Sequence, residues 1–274
     1  MTGRPRVYKT ECVVLARRNI GEADSILTVF SLDQGRFDGV VRGVRKARSH
    51  MGGHLEPLSR ARVLVAQGRS LDVFTQAQAV VVPRRIHEDL DRYAAATYAA
   101  ELVRRFVPER EPQPWLYGLL VELIEALEAG ARISVLRAFE ARLLEGSGFA
   151  PRFGACAACG ARLPEEDAFF APGAGGLLCR TCRAGGEAGR LVSVPAVKVL
   201  RFATRASLGE FGALRMTDEV DREAEAVMAD AIRYALDDEP RSSHFLQEVR
   251  SLYRSSPRPA LDSVSPVESN ESEM

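Results

Sequence analysis

The chain has 274 residues, 46% of them apolar and 27% charged, with 37 Lys and Arg balancing 37 Asp and Glu. That is the composition of a soluble globular protein with room for two modest domains or one large one. No run of 18 apolar residues occurs, which excludes a helical membrane span, and the opening MTGRPRVYKTECVV lacks the apolar core and cleavage site of a secretory signal.

The zero net charge is unevenly spread. Residues 1–83 hold thirteen Arg or Lys against seven acids, so a basic N-terminal module is balanced by acidic helices further on, and a polyanion suits the basic part as a partner. Within it TECVVLA, DSILTVFSL, RFDGVVRG, ARVLVAQ and LDVFTQAQAV read as five short strands, most of them separated by turn residues at Asn19–Gly21, Asp33–Gly35 and Gly68–Ser70. Five strands with a longer insertion between the third and fourth predict a small closed barrel over residues 1–82. An OB-fold is the leading candidate, and a five-stranded SH3-like barrel fits the same pattern.

After Pro83 the hydrophobic period changes. Ile86, Leu90, Tyr93, Thr97 and Tyr98 recur at steps of three and four and continue towards Leu102 and Phe106, as in an amphipathic helix. A second helix carries Leu116, Leu119, Leu120, Leu123, Ile124 and Leu127, and a third Val135, Leu136, Phe139 and Leu143. Helical patterning resumes with PAVKVLRFATRAS, DEVDREAEAVMADAIRYAL and HFLQEVRSLY. The expected organisation is α+β: the barrel, a helical domain over 83–150 and 191–254, and a cysteine module inserted at 151–190. The tail 255–274, rich in Pro, Ser and Glu, has too little apolar surface to offset its ordering entropy and is expected to be disordered.

The inserted module holds Cys156-x2-Cys159 and, after nineteen residues, Cys179-x2-Cys182. This is the spacing of a zinc ribbon: each CxxC turn aims two sulfurs at one ion, and two hairpin tips converge on a tetrahedron. Four thiolates fill the coordination sphere of Zn2+, whereas a catalytic ion keeps a position open for water. One structural zinc is therefore expected, with Phe169 and Phe170 as a small apolar support. The absence of a secretory signal predicts a cytoplasmic protein with reduced thiols, which argues against disulfides. The fifth cysteine, Cys12, falls in an apolar strand and reads as a buried small side chain.

Basic residues crowd into the barrel's loops. Arg42, Arg45, Lys46 and Arg48 follow the third strand, Arg17 and Arg18 fall between the first two strands, and Arg69 sits in the last hairpin. In an OB-fold those loops flank the face that holds single-stranded nucleic acid, and guanidinium suits phosphate. A solvated surface is the plain alternative. Phe30, Phe37 and Phe74 are few and fit a core, so phosphate contacts should dominate over base contacts.

The order of these parts resembles the RecO family of bacterial recombination mediators and DNA repair proteins. The likeness rests on Gly21-Glu22-Ala23-Asp24, a short strand, Gly35, the Val-Arg-Gly-Val-Arg stretch before a basic loop, and the later CxxC pair, and it extends from about Tyr8 to Tyr253. It implies an N-terminal OB-fold, a structural zinc module, and a protein without catalytic turnover. Such a protein binds single- and double-stranded DNA, anneals complementary strands, and acts with RecR to load RecA onto coated DNA in the nucleoid. It also implies recognition of the acidic C-terminal tail of single-stranded-DNA-binding protein. Arg104, Arg105, Arg137 and Arg142 are arginines on helices suited to rim a groove for that tail, with none singled out.

Other classes fit less well. The histidines are scattered without HExxH spacing, GRFDGVVRG matches neither GxGxxG nor a Walker loop, and no GxSxG occurs. A transcription or RNA-binding factor built from a zinc ribbon and an OB barrel is the alternative reading, and a scaffold whose basic barrel holds an acidic protein is a third.

Overall fold

The computed structural model describes residues 7–46, 49 and 51–255. The expectations for Arg48 and for the tail beyond Ser255 lie outside the described residues. Strands β1 (Val7–Ile20), β2 (Asp24–Ser31), β3 (Gly35–Val41), β4 (Arg60–Ala66) and β5 (Asp72–Val81) close into a barrel in the order β1-β2-β3-β5-β4. β1 is long enough to pair with β4 along its first half and with β2 along its second. A parallel contact between β3 and β5, at Gly39↔Asp72 and Val40↔Val73, completes the ring. That parallel closure is the connectivity of an OB-fold and sets aside the SH3-like alternative.

The alternation of β1 feeds two cores. Cys12 and Val14 point into the barrel with Leu27, Val29, Phe37, Val63, Val65 and Phe74, while Val13 and Leu15 point outward and join Phe30 in the core of the helical body. Burial pushes the Cys12 thiol up to about 12, in keeping with an inert apolar filler. A register shift between Val14 and Ala16 then changes the phase of the strand. Arg17 consequently shares the inward face of Leu27, and Arg18 the outward face of Ile26. The sequence pattern puts both arginines in a loop. The ladder instead runs to Ile20↔Asp24, so both lie within β1 and only residues 21–23 form the turn.

Helices α1 (Arg84–Glu88), α2 (Leu90–Phe106), α3 (Pro114–Glu128) and α4 (Leu136–Gly146) follow the barrel. The cysteine module contributes β6 (Ala168–Ala171), β7 (Gly176–Leu178), α5 (Arg180–Arg183) and β8 (Arg190–Val192), with the strands in the order β7-β6-β8. The described chain ends with α6 (Val194–Ala203), α7 (Leu208–Gly212), α8 (Asp218–Leu236) and α9 (Arg241–Ser255). Side-chain oxygens of Asp89, Ser193 and Thr217 accept the first free N–H groups of α2, α6 and α8. Leu102, Leu120, Leu123, Phe139, Leu143, Leu200, Phe211 and Met228 are fully buried between these helices, each worth about 1.5–3 kcal/mol of apolar burial. No described helix is long and apolar enough to cross a membrane.

The cysteine module is less of an excursion than its sequence implies. Phe153, Phe170, Leu177 and Leu178 belong to the same buried cluster as the helices, and Phe153 and Phe170 lie with ring centroids 6.0 Å apart. The barrel too is clamped to the helical body. The α2–α3 connection lies against the start of β3: Arg36 Nε donates to the Val107 carbonyl at 2.9 Å, and Arg110 N donates to the Arg36 carbonyl at 2.8 Å. Gly35, with φ +67, makes this approach possible, because a Cβ there would fall 2.4 Å from the backbone of Glu111.

Candidate nucleic-acid interface and four-cysteine centre

The outer surface of the barrel carries one continuous rung across four strands: Arg18 on β1, Ile26 on β2, Val40 on β3 and Val73 on β5. Directly paired residues share a face, so the two loops at the ends of this rung flank one surface. Arg18 is exposed. Beyond β3, the chain turns sharply. The Asp24 carboxylate accepts the Gly43 N–H at 2.7 Å, the Arg45 N–H reaches the Ala23 carbonyl at 3.0 Å, and Val44 is buried against the barrel core. With Val44 as the inward anchor, Arg42, Arg45 and Lys46 are left exposed beside the β1–β2 turn. Arg45 also donates from its guanidinium to the Gly21 carbonyl at 3.2 Å, which ties this cation to that turn. Arg69 is exposed in the β4–β5 turn, just ahead of Val73.

Among the described residues, Arg18, Arg42, Arg45, Lys46 and Arg69 form no ion pair. Arg17 departs from the sequence expectation. It turns inward, pairs with Glu56 at 3.2 Å and donates to Ser25 Oγ at 3.3 Å. Its guanidinium is already satisfied, so it is removed from the set of free cations. Acids share this surface too: Glu22 in the turn, Asp24 two residues before Ile26 on the same face of β2, its carboxylate holding the Gly43 N–H, and Asp38 next along the outer face of β3, opposite Thr28. Ile26, Val40 and Val73 are surface members that the sequence reading missed. The strand pairing alone brings these apolar residues from three strands between the cations. The aromatics are elsewhere: Phe37 and Phe74 stack inside the barrel at 5.9 Å, and Phe30 packs on Tyr117.

Of the arginines considered for an acidic-tail groove, Arg137 is only 1% exposed and is locked to Glu140, with Nε 2.8 Å from Oε2 and Nη2 donating to Oε1 at 2.9 Å. It cannot meet a ligand. Arg105 pairs with Asp238 at 3.0 Å and Arg142 lies 4.0 Å from Glu122, while Arg104 is exposed.

The four cysteines converge. Their sulfurs all lie within 4.8 Å of one another, all four are free thiols, and Cys159 Sγ is 3.9 Å from Cys179 Sγ. A tetrahedral zinc site with Zn–S of about 2.3 Å spaces its sulfurs about 3.8 Å apart, so the donor set fits such an ion. Cys156 and Cys159 sit on a tight hairpin closed by the Ala155↔Arg162 bridge. The second pair is not on a hairpin tip. Cys179 follows β7 and caps α5, and Cys182 lies one helical turn on, which puts both sulfurs on one side. Backbone N–H groups of Cys159 and Cys179 pull the Cys156 thiol down to about 6, whereas hydrogen bonding to the other thiols, Cys179 first, pushes Cys182 up to about 12. Four such sulfurs can hold a metal ion, and they leave no coordination position for a substrate.

Fold and site together define an OB-barrel protein with a helical body and a four-thiol metal-type centre. Comparison with known families makes this specific. The family model described as Recombination protein O N terminal matches residues 5–82, and Recombination protein O C terminal matches residues 87–244. A protein named DNA repair protein RecO from Roseiflexus sp. (strain RS-1) is 38% identical over 254 residues, covering 92% of this chain and 89% of the relative. Two of the same name, from Dehalococcoides mccartyi (strain BAV1) and Desulforudis audaxviator, are each 34% identical over 90% and 88% of the chain and 98% and 97% of theirs. The chain belongs to the RecO family of DNA repair proteins.

Proposed function

We propose that this protein is a recombination mediator that binds single- and double-stranded DNA through the outer face of its barrel and promotes pairing of complementary strands without catalytic turnover. The observation that supports the reading is the Arg18–Ile26–Val40–Val73 rung, flanked at both loops by cations that form no ion pair among the described residues. Phosphates meet Arg18, Arg42, Arg45, Lys46 and Arg69, while sugars and bases pass over a small aliphatic strip. Annealing asks for weak, exchangeable contacts: the cations lower repulsion between two strands, and the shortage of stacking aromatics leaves bases free to pair. Cys156, Cys159, Cys179 and Cys182 would hold one structural Zn2+ that braces the module. In the role that family resemblance implies, the protein acts with RecR to load RecA onto DNA coated by single-stranded-DNA-binding protein, whose acidic tail it recognises. The relatives' names favour DNA over the alternative of an RNA-directed or transcription factor.

The test is oligonucleotide affinity across a salt series. Replacing Arg42, Arg45 and Lys46 together with Ala should weaken binding for every sequence and flatten the log–log salt slope by roughly 2, at about 0.7 per lost phosphate contact. An unchanged affinity and slope would remove this surface from the interface.

A further inference from the structure

The α2–α3 connection does more than join the barrel to the helices. Arg110, held at φ +62 by the clamp on Arg36, extends its side chain into the mouth of the barrel. There its guanidinium lies 4.3 Å from the centre of the Phe37 ring, donates to Tyr8 Oη at 3.0 Å and reaches Asp72 Oδ2 at 2.5 Å. Tyr8 donates to the same carboxylate oxygen at 2.6 Å. The other oxygen of Asp72 accepts the Gly68 N–H at 3.1 Å. Gly68 opens the β4–β5 turn, where a Cβ would overlap the Leu71 carbonyl at 1.8 Å, and the next residue is Arg69. Burial raises the Asp72 carboxyl, but hydrogen bonds from Tyr8, Arg110 and Gly68 outweigh it and keep the group ionised.

We infer that Arg110 is a positioning residue that sets the β4–β5 turn, and with it Arg69, for DNA contact, through a relay from the helical body to Asp72 and the Gly68 amide. This rests on the reading of the barrel's outer face as the DNA surface. Asp72 is 4% exposed with Arg110 in place, so removing the guanidinium strips a largely buried carboxylate of its charge partner and the turn it anchors should loosen. Phe37 and Tyr8 make the site selective for a planar guanidinium, which stacks and forks where an ammonium cannot.

The experiment uses the full chain with Arg110→Ala, Arg110→Lys, Arg69→Ala and the Arg110→Ala/Arg69→Ala double variant. It reads amide exchange over residues 67–71 and the salt slope of oligonucleotide binding. Arg110→Ala should speed exchange in that turn by about tenfold or more while β1 and β4 stay protected. It should flatten the slope by about 0.7, as Arg69→Ala does, with no further loss in the double variant. Arg110→Lys, which keeps the charge and spares the fold, should restore neither readout fully. Unchanged protection of residues 67–71 in both Arg110 variants would overturn the relay. Faster exchange with wild-type binding by Arg110→Ala and Arg69→Ala would instead overturn this turn's part in DNA contact.

Discussion

At the residue scale, neighbouring arginines of the same strand have opposite fates. Arg17 is spent on Glu56 and Ser25, whereas Arg18 faces solvent on the rung with Ile26. Arg18→Ala should therefore weaken oligonucleotide binding and flatten the salt slope by about 0.7, while Arg17→Ala should leave the slope alone and lower the melting temperature. Equal effects of the two on the slope would contradict the assignment. A second contrast lies in the helical body. Arg137 is encircled by Glu140 and Glu225 at 1% exposure, with Arg250 pairing Glu225 and Asp221 alongside. Arg137→Ala strands Glu140 in the core and should cost about 3–5 kcal/mol in denaturant titration; a variant as stable as the parent would refute the buried pair. Sequence could not separate Arg17 from Arg18, because the register shift at Val14/Ala16 that sets their faces has no residue signature. Nor could it separate Arg137 from Arg142, since both fit the polar side of an amphipathic pattern. The free cations after β3 were legible because their density and the turn residues around them are local properties.

At the element scale, the five strands, most of the helical stripes and the cysteine spacing were legible, since each is a short-range pattern of side-chain type; the first stripe was not, because the chain breaks at Asp89 into α1 and α2 and leaves Leu90 exposed. What escaped was where elements meet. The second cysteine pair opens a helix rather than capping a hairpin, and the module's Phe153 and Phe170 are part of the helices' own core. That shared core has a consequence. Cys159→Ser, or removal of metal by a chelator, should release about one zinc per chain and lower the unfolding temperature of the helical body as well as of the module, because the ion's binding energy is folding energy. The salt slope of DNA binding should not move. Purified protein with far less than one zinc per chain, or a change in slope with an intact fold, would contradict a bracing role.

At the scale of the whole molecule, barrel and helices behave as one device. The barrel is fixed by Val13, Leu15 and Phe30 in the helical core, by the Arg36–Val107 clasp, and by Arg110 in its mouth, so its cationic face has a set direction relative to the body. The molecule as a whole is neutral, with 37 bases and 37 acids. The proposed DNA binding therefore rests on local placement of charge rather than on a global field. Annealing of complementary oligonucleotides without ATP, followed by fluorescence with wild-type protein and with the Arg18→Ala/Arg42→Ala/Arg45→Ala/Lys46→Ala variant, tests that placement most directly. The wild-type protein should accelerate pairing and lose the effect as salt rises, and the variant should fall towards the protein-free rate while keeping its melting temperature. A folded variant that anneals as fast as wild type would contradict the assignment of this face as the site where DNA is held.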